Sequence, residues 1–418
     1  MPIERETTPR PAILALLCLT AFGCSSAVAE STVAPQQAAT QNFSAAELRA
    51  QGPEGLEVAL RAYDKLQSGS EKEEQARLVD AVAGQRYATN SRLYWYTDFE
   101  RAKEAAKSSG TPILSLRMLG RLDEDFSCAN SRLFRTVLYP NEQVSKYLRK
   151  NFTLHWSSER AVPKLTVDFG DGRVLKGTIA GNSAHYVLSS DGMPVDVVPG
   201  LYSPKAFIKA LEPSRRLAKN LGSGKDAIER VRKFHVAMDQ KSAKAFAALP
   251  SKQNKALAPY RQRFVGKDLM AAEMLTMSKM VIEVPIARGL AAKAPTLDAK
   301  AVREAVTTSE PLDQRSRNLI VAMGPTDWGT EPAALQGAPL TAMLAELEQR
   351  VAADTLINRH GLHSLIHKLF IQDAGRDFET LNKLVYSDIF VTPADDPWLG
   401  MGVERGFTGL PGDGLAVH

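Results

Sequence analysis

Cysteine is scarce in this chain, with three residues in 418, at Cys18, Cys24 and Cys128. Two of them fall in the first 24 positions, so a chain processed for export retains at most one free thiol and no internal disulfide. Charge of one sign is lacking as well. The 52 Lys and Arg against 47 Asp and Glu leave a net of +5, too mild an excess to imply an acidic partner. Lys146, Arg149 and Lys150 form a short basic cluster that reads as a solvated helix end. No regular aromatic interleaving accompanies it, so nucleic acid is not an expected partner.

Motifs for several reaction classes are also missing. There is no Gly-x-Ser-x-Gly elbow and no His-Glu-x-x-His pair. Gly222-Ser-Gly224-Lys225 lacks the first glycine of a phosphate loop and has Asp226 where a hydroxyl should hold magnesium, so it reads as a linker. His360, His363 and His367 share one helical face, yet i to i+7 spans roughly 10 Å, too far for one tetrahedral ion without a bend. No metal and no cofactor is therefore expected. The methionine stripe from Met270 to Met280 reads as core packing, and Asp395-Asp-Pro-Trp398 as a docking turn with Trp398 buried.

What is present begins with an export signal. Pro11 to Gly23 is apolar, too short to span a bilayer comfortably and suited to a signal-peptide core. Two exits fit it. Ala21-Phe-Gly-Cys24 resembles a bacterial lipobox that would lipidate Cys24, and Ala27-Val-Ala29 fits an ordinary cleavage site before Glu30. Either route places the mature protein outside the cytoplasm, as a periplasmic protein or a lipoprotein anchored to the membrane. Residues 1–29 are then the leader and 30–43, rich in Ala, Gln, Ser and Thr, a flexible tether. Ser44-Ala-Ala-Glu47 and Ser70-x-x-Glu73 are capping-box signals that predict short helices within 44–90.

The surviving cysteine sits where a loop turns into a helix. Leu133, Phe134, Val137 and Leu138 recur at helical spacing, Pro140 interrupts, and Val144, Tyr147 and Leu148 resume before the strand-like Phe152 to Trp156. A thiol in a first helical turn faces unpaired N–H groups and the positive end of the helix dipole, which favours the thiolate. Cys128 is thus the candidate nucleophile.

The order of segments resembles the thioredoxin-like fold family. Tyr96-Thr-Asp-Phe99 leads into a charged helix, and the strand Pro112 to Leu116 follows. Then come Cys128 opening a helix, a second strand, Tyr186 to Gly192, Pro199 to Tyr202, and a last helix from Pro204. The resemblance covers about a third of the chain and implies an α/β thioredoxin-like domain at 91–222 followed by a C-terminal all-α domain at 223–418. Where the family carries Cys-x-x-Cys, this chain has Cys128-Ala-Asn-Ser131, so the resolving thiol is missing. The segment Asn182-Ser183-Ala184, which matches the family's cis-proline loop, contains no proline.

Val162 to Phe169 and Arg173 to Ile179 alternate about Gly170-Asp-Gly172, an inserted hairpin that is expected to border the cysteine. His185 follows that loop and is a candidate to tune Cys128 as base or donor, with Ser131 assisting by hydrogen bond. The resulting expectation is an envelope protein with one reactive thiol, in monothiol exchange with protein thiols or disulfides or in redox sensing. Its alternative is a redox-inactive binding or scaffold module for other envelope proteins. Lipidation has a direct test: radioactive palmitate labels the protein and the label vanishes in Cys24→Ala. An unlabelled chain beginning at Glu30 would select cleavage after Ala29 and remove the tether.

Overall fold

The computed structural model describes residues 43–178, 181–262, 299–327, 333–390 and 392–397. Cys24 with its leader, the methionine stripe and Trp398 lie outside the described residues.

Ser44 caps the first described helix, as its spacing to Glu47 predicts. Its hydroxyl accepts from the Glu47 amide at 3.3 Å while the Glu47 carboxylate accepts from the Ser44 amide at 2.8 Å, a complete capping box ahead of α1 (Ala45–Ala50). The second box does not form. Gly69, at φ 109°, is the N-cap of α3 (Ser70–Ala83), and this moves Ser70 inside the helix, where its side chain cannot cap it. With α2 (Pro53–Lys65) these helices bury Leu48, Leu56, Leu60, Val79 and Val82 in a small core of their own. Gly55 permits the tight crossing, since a Cβ there would lie 1.9 Å from the Leu48 carbonyl oxygen.

The centre is a mixed four-stranded sheet. Its strands are β1 (Ile113–Leu119), β2 (Thr153–Arg160), β5 (Ala184–Leu188) and β6 (Pro194–Pro199), in the order β2-β1-β5-β6. β1 and β2 are parallel, so a crossover must join them, and β5 and β6 run antiparallel. All residues of β1, β5 and β6 are buried, which explains the near-continuous apolar runs in their sequences. β3 (Lys164–Asp168) and β4 (Val174–Thr178) form the inserted hairpin as a separate pair. α5 (Phe99–Ser109) starts on an Asp98 cap, whose carboxylate accepts from the Arg101 amide at 3.0 Å. The segment before it guards the sheet edge: the Tyr96 amide donates to the Leu154 carbonyl at 2.8 Å, and the Trp156 amide to the Tyr96 carbonyl at 3.0 Å.

After α8 (Pro204–Lys219) the described residues are mainly helical, and they include α9 (Gly224–Ala247) and the helices Gly337–Ile357, His363–Gln372 and Phe378–Leu384. One apolar core, reaching from Leu93 to Phe390, continues across the turn at 220–223. The junction is also polar. The Tyr186 hydroxyl donates to Asn382 at 2.8 Å, and the Asn358 amide donates to the Leu201 carbonyl at 2.7 Å. Arg117, in the middle of the sheet, stacks 4.4 Å from the centre of the Phe378 ring and pairs with Glu159 at 3.3 Å and with Glu379. Among the described residues no helix is long and apolar enough to cross a membrane.

A core shared in this way should unfold as a unit. Denaturation followed by tryptophan fluorescence in a Trp328→Phe, Trp398→Phe variant, which leaves Trp95 and Trp156 in the sheet region as reporters, should coincide with denaturation followed by helical circular dichroism. Phe378→Ala should lower both midpoints together, by roughly 3–5 kcal/mol of stability. Two separated transitions would instead mark independent domains.

Candidate functional site

The path from β1 to β2 places Cys128. Gly120, at φ 73°, turns the chain out of β1, and Cys128 returns to it, its amide donating to the Leu119 carbonyl at 3.2 Å. Cys128 is the N-cap of α6 (Ala129–Leu133), which runs without a break into a π-helical turn at Phe134–Leu138. Pro140 ends that run, and Asn141 caps α7 (Glu142–Asn151), the kinked helix the sequence implies.

The loop ahead of Cys128 is held by a residue that sequence reasoning passed over. Arg135, on the π turn, is almost fully buried, and its guanidinium donates to the Glu124 carbonyl, to the carbonyls of Leu122 at 3.2 Å and of Asp125 at 3.3 Å, and to the Ser127 hydroxyl at 2.9 Å. Burial lowers its pKa to about 10, with the Asp125 carboxylate acting the other way, so it remains a cation at neutral pH. A lone arginine among Leu133, Phe134, Val137 and Leu138 was the only hint of this role.

The three expected site residues lie in one region but not in one constellation. Cys128 is fully buried, and its sulfur shares a hydrogen bond of 2.9 Å with the Ser183 hydroxyl. Gly181 covers it closely; at φ 128° it has no Cβ, and one would lie 2.4 Å from the Cys128 Cβ. Ser131 is buried too, and its hydroxyl donates to the Cys128 carbonyl oxygen at 2.8 Å and stands 2.6 Å from the Ser127 hydroxyl, with no bond to the sulfur. That is the back-bonding habit of a serine one turn into a helix. The hairpin does border the site, since Thr178 donates to the Ser127 carbonyl at 3.2 Å.

His185 is directed elsewhere. Its Nε2 meets the Tyr139 hydroxyl at 2.7 Å, its ring lies between Phe134 and Phe207 at 4.7 and 4.8 Å, and its Nδ1 has no hydrogen-bond partner among the described residues. Burial lowers its pKa to about 3. A base that weak is poorly matched to proton transfer at neutral pH. His155 on β2 behaves alike: it bonds Ser115 at 2.8 Å, and burial, with Arg117 adding to it, lowers its pKa to about 3.

Both histidines stay neutral in the fold and would ionise near 6.5 once unfolded. Their depressed folded pKa means that stability is complete above pH ~6.5 and is lost as pH falls towards about 3. Each should contribute a slope of about 1.4 kcal/mol per pH unit in that window. Denaturant titrations from pH 7 to pH 4 should lose one such slope in His185→Gln, and an unchanged slope would mean that His185 is solvated. Compared with family models, curated proteins and solved structures, the chain matches none.

Proposed function

We propose that this chain is an exported, thioredoxin-like protein that acts as a binding or scaffold module for other envelope proteins, with Cys128 serving packing rather than redox exchange. The observation that carries this reading is the enclosure of the thiol: no exposed surface, a hydrogen bond to Ser183, and Gly181 packed against its Cβ. A nucleophile must reach its disulfide in line, and a sulfur so covered has no approach. Burial also accounts for the survival of a lone thiol in an oxidising compartment, where exposed thiols are consumed. Support for the thioredoxin-like fold is the cysteine's place between β1 and a crossover helix, with the segment Gly181–Ser183 facing it as the family's cis-proline loop faces its own cysteine. The export leader and the lipobox-like Cys24 supply the envelope location and its tether.

Monothiol exchange remains the second reading on one specific observation. Cys128 occupies a helix N-cap, and the buried guanidinium of Arg135 bonds the hydroxyl of the adjacent Ser127 at 2.9 Å, a polar setting in which the sulfur could exchange if the covering segment opened. The two readings differ in one measurement. Folded protein should leave Cys128 unmodified by a small alkylating reagent, and denatured protein should expose one thiol. Rapid alkylation in the folded state, and in a separate reaction with a small disulfide a mixed disulfide that persists because Ser131 cannot resolve it, would replace the binding module by the monothiol.

A further inference from the structure

A second polar centre lies away from Cys128, where the helical segment meets the edge strand β6. Asp196, His235 and His367 come from β6, α9 and the helix His363–Gln372, and each is almost completely buried. One ligand atom from each lies within 4.8 Å of the other two. The closest approach is between the Nδ1 atoms of His235 and His367, at 3.0 Å. His363 places its Nε2 3.0 Å from Asp196 Oδ1, which also accepts from the Val197 amide at 2.8 Å.

The donor chemistry is determined by the neighbours. The Nε2 of His235 is 2.9 Å from the Val195 carbonyl oxygen, an atom that can only accept, so the His235 proton is on Nε2 and its Nδ1 offers a lone pair. Histidines that ligate metals are held in this way, the far ring nitrogen donating to a backbone carbonyl. Two imidazole nitrogens 3.0 Å apart must be bridged by a proton or by a cation, and adjacent ligand atoms in a tetrahedral site stand at about this separation. Both contacts to Asp196 fall on Oδ1, so Oδ2 is the oxygen available to a ligand. Closing the longest separation to tetrahedral spacing requires a side-chain movement of about 1 to 1.5 Å.

Burial points the same way. Asp196 is 1 % exposed, and the side chain that bonds it is the His363 ring. A carboxylate so enclosed needs a compensating positive charge, and a divalent cation held with His235 and His367 would supply it.

We infer that Asp196, His235 and His367 form a binding site for one borderline divalent cation of the zinc type, with His363 as the positioning residue that orients Asp196. Two nitrogens and one oxygen suit Zn²⁺, and a water completes four-coordination. Because the ligands come from β6 and two helices, the ion ties the helical segment to the sheet. It is independent of Cys128 and of the function proposed above.

The full mature chain, produced without a histidine tag and refolded from denaturant with Zn²⁺, should retain about one equivalent after gel filtration and unfold at a higher temperature than protein refolded with chelator. Co²⁺ in place of Zn²⁺ should give the visible absorption of a tetrahedral site. His235→Gln and His367→Gln should each weaken Zn²⁺ binding at least ~10-fold, while His360→Gln, whose ring packs near Phe246 outside the cluster, should not. Absence of stoichiometric Zn²⁺ and of the Co²⁺ spectrum in the wild-type chain would overturn the site, whatever the folding of the variants. So would binding that survives in the folded His235→Gln, His367→Gln double variant.

Discussion

Burial of the central sheet on both faces is the constraint on which the remaining structure depends. Alternation along β1 and β5 sends Ser115, Arg117 and Tyr186 to one side, against Phe378 and α5, and sends His185 to the other, among Phe134, Tyr139 and Phe207. Polar side chains on such strands lose water and must find partners in the protein. Each does so from a distant part of the chain: Ser115 from His155 on β2, Arg117 from Glu159 and Glu379, Tyr186 from Asn382. The helical segment therefore completes the sheet's hydrogen bonding as well as covering it, and its loss would strand buried polar groups that cost about 1–3 kcal/mol each.

The same enclosure decides the chemistry of Cys128. A parallel β1–β2 pair requires a crossover, the crossover starts at Cys128, and the segment leading to β5 must pass over that start to reach the sheet. Gly181 packs against the Cys128 Cβ there, and Ser183 meets the sulfur at hydrogen-bond distance. Arg135 meanwhile satisfies the carbonyls of the loop that delivers the cysteine. Access outweighs the cysteine's place at a helix start, since a sulfur without an approach exchanges nothing.

At the β6 edge the balance differs. There the polar groups that converge are titratable, and the hydrogen bonds that hold them, from His235 to a backbone carbonyl and from His363 to a carboxylate, orient rather than neutralise them. An edge strand approached by two helices brings donors together that no single helix could present, and the histidine stripe acquires a geometry its own spacing lacks.

Local signals in the chain were sufficient for local structure. Ser44 with Glu47 determined a helix start, Pro140 a kink, Gly170-Asp-Gly172 a hairpin, and the apolar runs at 113–116 and 186–188 the buried strands, because each rests on backbone geometry or on period within a few residues. The Ser70 box failed because Gly69, one residue earlier, took the cap. The cysteine's position at a helix start was equally legible; its burial was not, since the residues that cover it arrive more than fifty positions later. Arg135, the Tyr139 partner of His185, and the meeting of Asp196 with His235 and His367 depend on separations that leave no periodic trace. Sequence determined which groups could carry chemistry, and only the tertiary structure decided which were reachable and which converged, because access and ligand geometry are properties of packing between elements.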